Sequence, residues 1–150
     1  MSVQTNCTNI LVVDDEPLVL TYISSIMRRM GCKNVMEAGT AEQGRQEIQK
    51  RDISLLICDI TLPDGDGRAL ASTLLESAPN AVIVLISGFS TSDIALSPEI
   101  KDRVLLLEKP FTPDDISALL SNHFKPVEIQ RLPHVRAVPT ASTTAWHAAA

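Results

Sequence analysis

Two stretches of the chain share one pattern, a short unbroken apolar run that stops on carboxylates. Ile10-Leu11-Val12-Val13 leads into Asp14-Asp15-Glu16, and Leu55-Leu56-Ile57-Cys58 leads into Asp59. Runs of this kind, bounded by polar residues, read as strands buried on both faces, which is how strands look in a parallel sheet covered by helices. Pro17 suits the first turn of a helix, and Leu18, Tyr22, Ile23, Ile26, Met27 and Met30 then recur at helical spacing as far as Gly31. Lys33 to Ala38 reads as a short strand. Thr40, with Glu42 and Gln43 after it, caps a polar helix that runs to Lys50.

After Asp59 the residues Ile60 to Gly67 form a turn punctuated by Pro63, Gly65 and Gly67. Gly67 leads into a helix from Arg68 to Ser77, with Leu70, Leu74 and Leu75 on one face and Pro79-Asn80 closing it. Ala81 to Ile86 is the strongest strand signal, and it delivers Ser87-Gly88 at its carboxyl end. Between Phe89 and Asp102 the alternation asks for a helix, but Pro98 removes a backbone donor and disfavours the helical region at Ser97. Any helix there is expected to be short or broken. Val104 to Leu107 is the fifth strand, ending in Glu108-Lys109-Pro110. Thr112-Pro113-Asp114-Asp115 then starts a helix, with a capping hydroxyl, Pro at the first helical position and acids on the positive end of the dipole.

Five strands alternating with helices define an α/β class, a doubly wound five-stranded parallel sheet with helices on both faces. The usual order for five strands is 2-1-3-4-5. It sets strands one and three side by side, so that Asp14, Asp15 and Asp59 meet at the carboxyl edge, where such sheets bind ligands.

Composition narrows this picture. A length of 150 residues suits one domain, expected over residues 8–124. With one Trp, one Tyr and three Phe, the core must be aliphatic. From residue 125 to 150 the chain turns to Pro, Ala, Ser, Thr and His without apolar periodicity, and a disordered tail with no output domain is expected. Lys125, Arg131 and Arg136 against Glu128 give that tail +2, so a net charge of −5 for the whole chain leaves −7 on the folded part. Trp146 stands alone in it, either solvated or an anchor for a partner.

The acidic balance disfavours direct binding of nucleic acid. No apolar stretch approaches the roughly 18 residues of a membrane span, and Met1 to Asn9 lacks the pattern of a secretory leader, so a cytoplasmic location is expected. The three cysteines, Cys7, Cys32 and Cys58, have no metal-ligand spacing, and Cys58 reads as buried strand filler.

Three carboxylates converging at one sheet edge repel one another, and at neutral pH they need raised pKa values or a cation. Mg²⁺ answers this, since it takes oxygen ligands and commonly uses one or two carboxylates with a phosphoryl oxygen. The alternative is that the acids are merely solvated strand ends. A calcium loop on Asp64-Gly65-Asp66-Gly67 is weaker, because the spacing and terminal Glu of that motif are missing.

Taken together, Asp14-Asp15, Asp59, Ser87 and Lys109-Pro110-Phe111 resemble, in order and nearly in spacing, the receiver domain of two-component response regulators, over residues 8 to 124. The resemblance implies a flavodoxin-like receiver fold. It makes Asp59 the phosphoacceptor, taking a phosphoryl group from a histidine kinase or a histidine phosphotransfer protein. It also implies that Asp14, Asp15 and Asp59 hold Mg²⁺ with the Thr61 carbonyl, that Ser87 hydrogen-bonds the phosphoryl group, that Lys109 pairs with it, and that the Lys109-Pro110 bond is cis. General chemistry fits these roles, because a carboxylate can attack phosphorus and the phosphoryl oxygens want a cation, an ammonium and a donor. Thr61 and Phe89 would flank the path of attacking water, and an apolar Phe89 cannot orient it, so slow loss of phosphate is expected.

The sequence departs from the family at Leu106, where many receivers carry an aromatic residue three positions before the lysine. That half of the usual switch is absent, and with Pro98 in the fourth helix the signalling surface should differ. A phosphoryl-accepting signalling module, not an enzyme, is the leading reading, acting through protein contact with an unassigned target. Alternatives are a receiver segment of a hybrid histidine kinase, an unphosphorylated scaffold, and a phosphatase with an aspartyl-phosphate intermediate. The last has Thr61 where a second Asp should stand as general acid.

Overall fold

The computed structural model describes residues 9–121. The strands are β1 (Ile10–Val13), β2 (Val35–Ala38), β3 (Leu55–Asp59), the two-residue β4 (Thr61–Leu62) and β5 (Gly65–Asp66), β6 (Val82–Ser87) and β7 (Val104–Glu108). The helices are α1 (Pro17–Arg29), α2 (Ala41–Lys50), α3 (Gly67–Ser77), the short α4 (Pro98–Lys101) and α5 (Pro113–Leu120), with one 3₁₀ turn at Thr91–Asp93. Five strands form a parallel sheet in the order β2-β1-β3-β6-β7, which is the expected 2-1-3-4-5 topology once the β4-β5 hairpin is set aside. That hairpin lies within the turn after Asp59 and has no apolar alternation to announce it.

Alternation along the buried strands divides the core in two. Leu11, Val13, Leu56, Cys58, Ile83 and Leu85 face α2, α3 and α4, where Ile48, Leu70, Leu74 and Ile100 meet them. Ile10, Val12, Leu55, Ile57, Val84 and Ile86 face α1 and α5, against Ile23, Met27, Ile116 and Leu120. Each such aliphatic side chain contributes about 1.5–3 kcal/mol by leaving water. Cys58 is wholly buried, and burial pushes its thiol pKa well up, so it packs as the expected apolar filler. The Cys7 position and the whole stretch 122–150, Trp146 included, lie outside the described residues.

One detail of α1 differs from its apolar spacing. Leu18 is 84% exposed and Tyr22 41%, while Ile23, Ile26, Met27 and Met30 form the buried stripe. Tyr22 lies over the connection after β7 instead, its ring centroid 5.8 Å from that of Phe111 and its hydroxyl donating to the Phe111 carbonyl at 3.3 Å.

Helix ends follow the residues expected of them. The Thr40 hydroxyl accepts from the Gln43 amide, and Thr112 with Asp115 completes a reciprocal capping box on α5. Pro98, which cannot continue a helix, instead starts one: it occupies the first turn of the four-residue α4, and the chain from Gly88 to Ser97 is otherwise irregular. No helix among the described residues is long and apolar enough to cross a membrane.

Candidate functional site

Parallel register sets the site. Val13 pairs with Cys58, so the next residues, Asp14 and Asp59, leave adjacent strands side by side. Asp59 pairs with Ile86, and Ser87 with Glu108, which places Ser87 and Lys109 at the same sheet edge. The order of strands thereby assembles residues up to 95 positions apart in sequence, from Asp14 to Lys109.

Ligand oxygens of Asp14, Asp15 and Asp59 lie within 4.8 Å of one another. Lys109 Nζ donates to Asp59 Oδ2 at 2.7 Å and stands 3.5 Å from both Asp14 Oδ2 and Glu16 Oε1. The Thr61 amide donates to Asp59 Oδ1 at 2.9 Å, which leaves the carboxylate held between an amide and an ammonium. The Lys109-Pro110 peptide is cis, as the resemblance implies. Ser87 is buried, and its hydroxyl oxygen accepts from the Phe89 amide at 2.8 Å. Thr61 and Ser87 both line a cleft of about 280 Å³ beside Asp59.

Charge in this cluster is unbalanced. Asp14, Glu16 and Asp59 all lie within 3.5 Å of the Lys109 ammonium, and Asp15 joins Asp14 and Asp59 in the acid cluster. Asp14 is fully buried; its Oδ1 accepts the Glu16 amide at 2.9 Å, but its Oδ2 accepts no hydrogen bond from the described residues. Burial raises the Asp14 pKa from 3.8 to about 6; the Glu16 amide and Lys109 oppose the rise, and the Asp59 charge adds to it. Burial works against the Lys109 ammonium, yet the Asp59 hydrogen bond and the charges of Asp59, Asp14 and Glu16 outweigh it and raise its pKa. An unsatisfied buried carboxylate oxygen among hard oxygen donors fits a divalent cation of the Mg²⁺ type.

The turn after Asp59 is built for close approach. A Cβ on Gly67 would sit 2.3 Å from the Asp59 carbonyl oxygen and 3.0 Å from Cys58 Sγ, so no larger residue fits without moving the end of β3. Gly67 NH donates to the Ile60 carbonyl at 2.8 Å, closing the hairpin. Asp64 reaches across to α2, where its carboxylate accepts from the Ala41 and Glu42 amides at 2.7 and 3.0 Å. Asp66 caps α3 and pairs with Arg68. The carboxylates of Asp64 and Asp66 are therefore committed to different helices, which leaves nothing to support a calcium loop.

Sequence reasoning named Asp14, Asp15, Asp59, Thr61, Ser87 and Lys109, and the structure brings all six to one edge. Two further residues at this edge were not expected as part of the site: Glu16, whose signal was its place as the third acid after β1, and Gly67, which read as a turn residue leading into a helix. Leu106, at the position of the missing aromatic, is half-buried and packs on the α2–α4 side of the core.

A parallel five-stranded sheet with three acids, a hydroxyl and a lysine before a cis proline at its carboxyl edge is the arrangement that the resemblance to receiver domains implies. The sequence matches the model of the response regulator receiver domain over residues 10–121, and the chain belongs to that family. It is 34% identical over 115 residues to the KDP operon transcriptional regulatory protein KdpE of Escherichia coli (strain K12), covering 75% of this chain and 49% of KdpE. It is 29% identical over 112 residues to the photosynthetic apparatus regulatory protein RegA of Rhodobacter capsulatus, covering 75% of this chain and 60% of RegA. Among solved structures, a CheY-like receiver domain protein from Methanospirillum hungatei JF-1 superposes with a TM-score of 0.66 at 25% identity, covering 81% of this chain and 94% of that one. The chain spans about half the length of KdpE and somewhat more of RegA.

Proposed function

We propose that Asp59 is the phosphoacceptor of a two-component phosphorelay, taking its phosphoryl group from a phosphohistidine on a histidine kinase or a histidine phosphotransfer protein. A carboxylate oxygen of Asp59 forms the new bond to phosphorus as the bond from phosphorus to the imidazole nitrogen breaks, and the imidazole leaves with the electron pair and takes up a proton. The observation that carries this reading is the paired environment of Asp59, whose two oxygens are held by the Thr61 amide and the Lys109 ammonium at 2.9 and 2.7 Å. Asp14, Asp15 and Asp59, with the Thr61 carbonyl, are the residues that would hold Mg²⁺, which supplies charge stabilisation for the phosphoryl oxygens.

Lys109 follows the negative charge from the carboxylate to the phosphoryl group, and the Ser87 hydroxyl, whose oxygen accepts from the Phe89 amide, donates its proton to a phosphoryl oxygen. Because the Lys109 side chain is 26% exposed and already bound to a carboxylate, its shift needs a side-chain rotation and no rearrangement of the strand. Signalling then proceeds by protein contact in the cytoplasm, without turnover of a substrate. Committed hydrogen bonds at an intact acid cluster favour phosphoryl acceptance over the scaffold reading.

Intact mass after incubation with acetyl phosphate tests this, with Mg²⁺ or with chelator, on wild type and Asp59→Ala. One phosphoryl group added to wild type only when Mg²⁺ is present is the expected result. A folded, Mg²⁺-binding wild type that gains no mass would transfer the weight to the scaffold.

A further inference from the structure

We infer that Arg68 is a positioning residue that pins the irregular β6–β7 connection and thereby limits the access of water to the phosphorylated Asp59, an inference that rests on the receiver reading above. Asp59 is only 7% exposed, so water reaches a group on its carboxylate through an opening beside it. The cleft lined by Thr61, Asp66, Arg68, Ser87, Phe89 and Ile94 is such an opening, because Thr61 bonds directly to Asp59 and Ser87 ends the neighbouring strand. One wall is the hairpin that follows Asp59, and the opposite wall is the segment after Ser87. Nothing in that second segment between Gly88 and Ser97 is helical beyond one 3₁₀ turn.

Arg68 joins the two walls. Its Nε and Nη2 donate to the Asp66 carboxylate, with Nη2 at 2.6 Å from Oδ2, which fixes the plane of the guanidinium. Nη1 is thereby aimed across the cleft, and it donates to the Ala95 carbonyl at 2.7 Å. Ala95 lies between Ile94 and Leu96, both of which pack on the core, so the bond fixes the stretch just where it would have to lift for the cleft to widen. A second tether at the other end of the segment comes from Glu108, whose Oε2 accepts the Thr91 amide at 2.7 Å. Phe89 lies between Ser87 and the tethers and is 67% exposed, so packing of its own ring does little to hold the wall in place.

Arg68→Met keeps the stem and removes the bonding head, and Arg68→Lys keeps one cation that can reach a carbonyl without the oriented fork. Neither alters Asp59, Lys109, Ser87 or the acid cluster. In the unphosphorylated proteins, amide hydrogen exchange of residues 92–97 is expected to quicken about fivefold in Arg68→Met, the population change that one lost hydrogen bond carries. After loading with acetyl phosphate and Mg²⁺, loss of the Asp59 phosphoryl group is expected to quicken by a similar factor, with Arg68→Lys falling between that variant and wild type. Midpoints of thermal unfolding should stay close together, which separates positioning from general loss of structure. Unchanged exchange at 92–97 in Arg68→Met, or faster exchange with an unchanged phosphoryl lifetime, would overturn the inference. Absence of any Asp59-dependent adduct in wild type would instead overturn the receiver reading on which it stands.

Discussion

Two connections border Asp59, and they are held by different means. From β3 to α3 the chain closes a small antiparallel hairpin, seals it with the Gly67-to-Ile60 backbone bond, and anchors it through Asp64 to the first amides of α2. From β6 to β7 it has one 3₁₀ turn and a four-residue helix, and its irregular part is tied down by the side chains of Arg68 and Glu108. The first connection must hold the Asp59 backbone against a glycine with no room to spare. The second surrounds a cleft, and a few exchangeable bonds can reposition it. Rigidity thus accompanies Asp59, and adjustability lies with the segment that begins at Ser87.

Substitutions should separate the two regions by size of effect. Gly67→Ala drives a methyl group into the Asp59 carbonyl and is expected to cost about 3 kcal/mol in urea unfolding, the upper range for overpacking against backbone. Lys109→Met comes next: it strips the carboxylates of the one close ammonium among the described residues and should destabilise the metal-free protein by about 2 kcal/mol, discounted for partial exposure. Saturating Mg²⁺ should recover most of that loss in the same unfolding assay.

Asp14→Asn is expected to act in the opposite direction, stabilising the metal-free protein near neutral pH by about 1 kcal/mol because it removes a buried charge. The sign follows from linkage. The folded pKa of about 6 lies above the ordinary 3.8, so protonated Asp14 favours the metal-free fold below pH 3.8, and that contribution disappears as pH rises through 6. Thermal shift by Mg²⁺ should accordingly be larger on the alkaline side of that transition than on the acid side, and should vanish in Asp14→Asn. Smallest is Glu108→Ala, which frees one exposed amide at Thr91 and should change global stability by about 0.5 kcal/mol while quickening local exchange there.

The contrast also explains what could be read from the sequence. Where burial decides the structure, residue pattern reports it: β1, β3 and β6 are continuous aliphatic runs, and the acids that end them lie where the strand order puts them. Local stereochemistry was legible as well, in the Thr40 and Thr112 caps and in Pro98 as a limit on the fourth helix. Contacts between side chains and distant backbone leave no such pattern. Asp64 looked like part of a loop and proved to cap a helix 23 residues earlier, and Arg68, which read only as the start of a helix, reaches across to the Ala95 carbonyl. Leu18 and Tyr22 matched helical spacing but fell just outside the buried stripe, since a period alone does not fix the width of the face that meets the sheet.

Chemical trapping of the acyl phosphate tests the central claim most directly. After acetyl phosphate and Mg²⁺, borohydride reduction converts a phosphorylated aspartate to homoserine, and peptide mapping locates it. The account predicts homoserine at position 59 alone, in amounts that fall to background with chelator or in Asp59→Ala. Homoserine at another acid, or an unmodified position 59 in a folded protein that binds Mg²⁺, would contradict it.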